Sequence, residues 1–227
     1  MGNPVLIVGE SGVGKTYSIK TLDPEKTAIF LCEKSRLPFR EKFNTYYVRN
    51  MKRVDDNNKE QIIRQSIVIQ TVLRNPKDPK KIYVIDDSQY LMANEFFDRA
   101  NESGYQKFTD IGKNFRDLIH LVNDELPDDV IVYFLHHPET DQNTGKIKAK
   151  TIGRMLDDQL TIEGMFPIVL LADCDDSGYH FVTKSDGTTP VKAPIGMFEE
   201  DKIPNDLALV DAMIRDYWQM RPLMDDE

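Results

Sequence analysis

Five short runs of nearly unbroken apolar residues limit how this chain can fold: residues 5–8, 27–32, 82–85, 130–135 and 166–172. Apolar runs without alternation fit strands covered on both faces, the environment of a parallel sheet. Between them the apolar spacing becomes helical. Phe108, Ile111, Phe115, Leu118, Ile119, Val122 and Leu126 predict a helix over 104–126, closed by Pro127. Helices are also expected over 15–22, 59–74, 89–99 and 206–220, the last presenting Leu207, Val210, Ile214 and Trp218 on one face. Strands alternating with helices imply an α/β fold, a mostly parallel sheet with helices on both faces. Residues 178–184 and 189–193 flank Ser185-Asp186-Gly187 and predict a C-terminal antiparallel hairpin at one sheet edge. A length of 227 residues favours one domain, ended by the 206–220 helix and an acidic tail over 221–227.

Composition narrows the class. Hydrophobic residues make up 40% and charged residues 30%, the balance of a chain with a packed core. The longest apolar stretch falls far short of the ~18 residues of a spanning helix, and no basic segment precedes an apolar one at the N-terminus. After Met1-Gly2, Leu6 stands where myristoylation wants a hydroxyl residue. Cys32 and Cys174 are too few for a disulfide framework or a four-ligand zinc site. The expectation is a cytoplasmic protein without a membrane partner. Net charge is −9 but uneven: residues 1–80 carry 15 basic and 9 acidic side chains, the remainder 14 and 29. That excludes a uniformly basic nucleic-acid glove and leaves room for a local basic face. The tail residues Asp225, Asp226 and Glu227 are expected to be a solvated terminus.

The strongest chemical signal is Gly9-Glu10-Ser11-Gly12-Val13-Gly14-Lys15-Thr16, which matches G-x-x-x-x-G-K-[ST] at every fixed position. It follows an apolar strand and precedes a helical pattern, the context that gives this motif meaning. Glycines let the backbone turn tightly and aim successive N–H groups at phosphate oxygens, helped by the following helix dipole. Lys15 supplies a positive charge for the β- and γ-phosphates, the Thr16 hydroxyl is a Mg²⁺ ligand, and Tyr17 continues the nucleotide contact. The expected cofactors are therefore ATP and Mg²⁺. A metal-shell acid is expected at the end of a neighbouring strand, and Asp86, 71 residues beyond Lys15, has that position.

An ATPase must also orient a water molecule. Two acids compete: Asp87, whose alternative role is capping the 89–99 helix, and Glu33, just after the second strand, which is otherwise a solvated charge. His136 and His137 end the fourth strand at the ligand-binding edge of such sheets, where either can sense the γ-phosphate or be structural. His120 lies beside a helical apolar stripe and reads as structural. Residues 141–154 form a polar loop with Gly145 and Gly153, in which Lys146, Lys148, Lys150 and Arg154 offer salt-sensitive phosphate contacts.

With the loop at 9–16, the stretch at 82–88, His136-His137 and the segment Lys148-Ala149-Lys150-Thr151-Ile152-Gly153-Arg154, the chain resembles phage-encoded P-loop ATPases with a RecA-like core, some described as single-strand DNA annealing or recombination proteins. The resemblance covers roughly residues 3–200. It implies ATP hydrolysis coupled to single-stranded DNA, with Glu33 as base, a polar residue ending the fourth strand as γ-phosphate sensor, and DNA contact by the loop after it. Histidine there departs from the glutamine of RecA. The resemblance also implies that a lysine near the last strands, here Lys192, reaches a neighbouring copy's nucleotide, and that replication or recombination proteins are partners of a possible homo-oligomer. The absence of an obvious N-terminal polymerisation helix is a second departure. A nucleotide kinase, which needs a more arginine-rich lid than the single Arg154 of 141–154, and a nucleotide-gated scaffold without turnover are the competing expectations.

Overall fold

β1 (Asn3–Val8) buries Val5, Leu6, Ile7 and Val8 completely because it is flanked by parallel strands on both sides. Such a strand has no solvent face, so every side chain must be apolar. The structure is a computed structural model and describes residues 1–54, 58–158, 160–221 and 223. Alternation along β1 divides the core in two: Leu6 and Val8 point into one hydrophobic layer, Val5 and Ile7 into the other.

The other elements follow in chain order. A tight 3₁₀ segment (Thr16–Thr21) leads to β2 (Thr27–Leu31), β3 (Asn44–Tyr47), β4 (Met51–Val54), β5 (Glu60–Ile63) and α1 (Gln65–Arg74). Next come β6 (Ile82–Asp86), α2 (Tyr90–Asp98), α3 (Gln106–Glu125) and β7 (Ile131–His136). Then follow β8 (Pro138–Thr140), β9 (Ile147–Ala149), α4 (Arg154–Asp157) and a second 3₁₀ segment (Ile162–Met165). β10 (Ile168–Asp175), β11 (Gly178–Val182), β12 (Lys202–Pro204) and α5 (Leu207–Tyr217) complete the chain.

Eight strands form one mixed sheet in the order β12-β11-β10-β1-β7-β6-β2-β3, parallel from β10 to β3 and antiparallel at the β11–β12 edge. α1, α2 and α3 bury Ile69, Leu91, Phe115, Leu118 and Val122 on one face. α5 and the first 3₁₀ segment bury Val210, Ile214 and Ile19 on the other. The α/β architecture with covered faces is as expected.

Several expected elements differ. Residues 59–74 are not one helix: β5 pairs with β4 in a separate antiparallel ribbon, and only Gln65–Arg74 is helical. Ile62 is half exposed there, while Ile69 and Leu73 have the burial that holds a helix to the sheet. The 141–154 loop is largely a second hairpin, β8–β9. The C-terminal hairpin turns at 176–177 between β10 and β11, and residues 189–193 do not pair with β11; Lys192 instead bridges Val169 of β10. The 15–22 helix is a six-residue 3₁₀ segment, so its macrodipole adds little to phosphate attraction. Neither the acid strand β6 nor β2 neighbours β1, because β7 lies between β1 and β6. Asp225, Asp226 and Glu227 lie outside the described residues. Among the described residues, no helix is long and apolar enough to cross a membrane.

α5 begins at Asp206, whose carboxylate accepts from the Leu209 N–H at 3.0 Å. It is fixed by a buried ion pair. Arg215 Nε donates to Asp211 Oδ2 at 2.5 Å, Arg215 Nη1 donates to the Asp129 carbonyl at 2.9 Å, and the Tyr133 hydroxyl of β7 donates to Asp211 Oδ1 at 3.3 Å. Removing one partner strands the other charge in the core. Asp211→Ala is therefore expected to lower unfolding free energy by about 3–5 kcal/mol in urea titrations; a loss below about 1 kcal/mol would show that α5 is held by apolar packing alone.

Candidate nucleotide-binding site

The turn after β1 is shaped by what its backbone must approach. A Cβ on Gly9 would sit 2.7 Å from the Ala172 carbonyl oxygen and 2.9 Å from Val13 Cγ2, so only glycine lets the loop leave the sheet here. Gly14 has φ of +91°, a conformation natural to glycine. The Gly9 N–H still belongs to the sheet, donating to the His136 carbonyl at 3.1 Å. The loop then curls over Lys15, whose ammonium donates to the Gly9 carbonyl at 2.6 Å and the Glu10 carbonyl at 2.8 Å.

Burial pulls the Lys15 pKa below the ordinary lysine value, while Asp87, Asp86 and Glu10 push back towards the charged form. Across the cradle, the Thr16 hydroxyl donates to Asp86 Oδ1 at 3.0 Å, with Oδ2 at 3.3 Å. Asp86 is 3% exposed, and burial together with its neighbour Asp87 pushes its pKa up to about 7, against the hydrogen bond from Thr16 and the charge of Lys15. A buried carboxylate beside a hydroxyl and a cradle of amides is suited to a cation bridging to phosphate.

An open cavity of about 430 Å³ lies over this arrangement, lined by Ser11, Gly12, Gly14, Lys15, Thr16, Tyr17, Pro38, Asp87, His137 and Tyr179. Eight of these belong to the expected site; Pro38 and Tyr179 do not. Asp87 sits at φ of +59°, a left-handed conformation that Asp tolerates better than most residues. Its carboxylate faces His137 Nε2 at 3.3 Å, and this contact holds its pKa below the usual carboxylate value. It does not cap α2 with its side chain; Gln89 occupies that position, and α2 is shorter than expected, Tyr90–Asp98.

The two histidines separate. Val132, Phe134 and His136 share the face of β7 turned to α3, so His136 is fully buried beside Phe115, with ring centroids 5.9 Å apart. Its Nε2 donates to the Lys150 carbonyl at 2.7 Å, which leaves Nδ1 as the acceptor 2.8 Å from Ser88 Oγ. Burial lowers its pKa to about 4. His136 therefore holds the hairpin to the sheet and does not line the cradle; His137 does.

Glu33 is placed differently from Asp87. Its Oε1 accepts from Asn94 Nδ2 at 2.8 Å, and it is not among the cavity-lining residues. Lys148 is ion-paired to Asp157 at 2.5 Å, whereas Lys146, Lys150 and Arg154 are exposed and make no ion pair among the described residues. Lys192 is held to β10 by backbone hydrogen bonds to Val169 and its side chain is exposed; local desolvation lowers its pKa. His120 lies on the exposed side of α3, 3.6 Å from Asp124.

Tyr179 is the residue that sequence reasoning missed. It lies on β11, its ring centroid 6.4 Å from that of Tyr17, and it covers Gly14 beside Asn205. Both polar atoms of the Asn205 amide are buried without a hydrogen-bond partner among the described residues. No motif reaches these residues, because Tyr179 comes to the loop on β11 and Asn205 just after β12, both through the antiparallel edge of the sheet. No protein-family model and no curated protein matches the chain.

The His136 environment fixes a pH dependence. Its folded pKa lies below the unfolded value of 6.5, so between pH 6.5 and about 4 the unfolded chain binds the proton and the folded one does not. Acidification across that window should remove about 3 kcal/mol through this residue. Urea unfolding at pH 7 and pH 4.5 is expected to show a smaller acid loss for His136→Gln than for the wild type. Equal losses would place the imidazole in a solvated setting.

Proposed function

We propose that this chain is a Mg²⁺-dependent ATPase on a RecA-like core, coupling its nucleotide state to single-stranded DNA binding or annealing in phage recombination or replication. The observation that carries the chemistry is the Thr16–Asp86 contact of 3.0 Å beside buried Lys15. Residues 70 apart in sequence meet at the point where a triphosphate held by the loop would need a counter-ion. Magnesium keeps much of its water shell and uses one or two protein oxygens plus phosphate, so one hydroxyl and one carboxylate fit it. Bound there by Thr16 and Asp86, it would draw charge from the β- and γ-phosphate oxygens.

The remaining work falls to the chain's own groups. Gly9 to Thr16 would orient the triphosphate with backbone amides, and Lys15 would leave its carbonyl partners to neutralise the developing charge. Asp87, kept ionised by His137, faces the cavity and can accept a proton from an attacking water. His137 takes the sensing role expected of a strand-end polar group. The RecA-like reading is supported by the mostly parallel sheet, the loop after β1, the acid ending β6, and a strand between them that delivers His137. The DNA reading is supported by the exposed cations Lys146, Lys150 and Arg154 on the segment fastened to that strand.

One observation favours the scaffold reading instead. Glu33, the base that the family resemblance implies, is engaged by Asn94 and does not line the cavity. ATP binding without turnover, with single-stranded DNA present, would establish it.

Two measurements test the proposal. Lys15→Ala and Asp86→Asn are each expected to cut ATP turnover by about 10²-fold or more in a phosphate-release assay; unchanged turnover in either would remove the cradle from catalysis. Replacing Lys146, Lys150 and Arg154 together by Ala should weaken single-strand binding and lower the log K against log salt slope by about 2, at roughly 0.7 per phosphate contact. An unchanged slope would place the DNA elsewhere.

A further inference from the structure

A second cavity, of about 420 Å³, opens beside the cradle between α2 and residues 150–152. Its walls include Tyr90, Phe96, Phe97, His137, Lys150 and Ile152. Phe97 is 71% exposed, far more than a phenylalanine needs for packing, and stands edge-on to Phe96 with centroids 5.5 Å apart. Lys107 Nζ lies 5.5 Å from the Phe96 ring centroid, and Lys150 forms one wall without an ion-pair partner among the described residues. No carboxylate lines the cavity.

We infer that this cavity is a base-stacking site for single-stranded nucleic acid, in which one unpaired base lies against Phe97 and the backbone phosphate meets Lys150. Exposed aromatic faces beside unpaired cations are the combination that holds single strands, since every base has a π-face and every link a negative charge. A protein partner would use the same rings, but the charge argues for a polyanion: the cavity wall is cationic, and Lys146 and Arg154 extend the cationic run. The exposed aromatic pair Tyr217 and Trp218 contrasts with it, because Trp218 borders a cavity shared with Asp128 and Asp129. Position adds a consequence. His137 lines both cavities, so a base entering this one meets the imidazole that holds Asp87 in the other.

The inference rests on the single-stranded DNA reading above, and its test separates the two. Fluorescence anisotropy would compare labelled oligo(dT) with an abasic oligomer of equal length and charge, on the wild type, Phe97→Ala and Phe97→Trp, across a salt series, with the KM for ATP measured in parallel. The wild type is expected to prefer oligo(dT) about tenfold. Phe97→Ala should erase that preference without changing the salt slope, and Phe97→Trp should keep it. Salt-dependent binding of both oligomers with equal affinity, or a preference that survives Phe97→Ala, would overturn the stacking site and leave the DNA reading intact. A raised KM for ATP in Phe97→Ala, with oligonucleotide binding unchanged, would overturn it in favour of the base of ATP itself. Failure of the wild type to bind either oligomer would remove the DNA reading and this inference with it.

Discussion

The site depends on a carboxyl group in a place where a lone carboxylate is costly. Asp86 ends a strand buried on both faces, and Thr16 is its one side-chain hydrogen-bond donor among the described residues. Burial and the adjacent Asp87 raise its pKa to about 7, so the ionised form is disfavoured relative to an ordinary carboxylate. A divalent cation reverses that balance by favouring the ionised form. The same holds in mirror image for Lys15, which is buried and capped by two carbonyls of its own loop. In the proposed reading a triphosphate with its metal would supply both groups with opposite charge at once, so the cradle would gain more from the complex than from either ligand alone.

β7 ties these parts together through its backbone. On one side the Gly9 N–H donates to the His136 carbonyl, and on the other the Ser88 N–H donates to the Leu135 carbonyl at 2.8 Å. The start of the loop at 9–16 and the residue after Asp87 are therefore hydrogen-bonded to consecutive carbonyls of one strand. That explains how a strand inserted between β1 and β6 brings their ends into register without parting Thr16 from Asp86.

Much of this was legible in the sequence, for physical reasons that also mark where legibility stopped. The five apolar runs declared themselves because strands covered on both faces cannot tolerate polar side chains, and each corresponds to a strand of the main sheet. The loop at 9–16 was readable because backbone geometry restricts its residues, as Gly9 against Ala172 illustrates. The ribbon β4–β5 was not, because Met51, Val54 and Ile62 are largely exposed and carry no period that burial enforces. Ile62 and Ile63 merged by spacing with the helix that follows. His136 and His137 could be told apart only by extending the alternation of Val132 and Phe134 one step, which assigns His136 to the core. Tyr179 and Asn205 reach the loop only because β10, which carries the β11–β12 edge, pairs with β1 far back in the chain, Ile168 beside Val5, which no local pattern encodes.

The attachment of the basic hairpin follows from the same strand end. His136 donates through Nε2 to the Lys150 carbonyl, and the Lys150 N–H donates to the His137 carbonyl at 2.9 Å. The residue that presents the exposed ammonium is thus clamped at both of its backbone groups to the two histidines. His136 cannot yield without disturbing Ser88 and Phe115 in a close-packed core, so it acts as the fixed point. His137 follows the strand and is part-exposed, with its backbone N–H weakly held by Gln89 at 3.3 Å and its ring against Asp87. His137 therefore stands where the hairpin, through Lys150, and the cradle, through Asp87, meet.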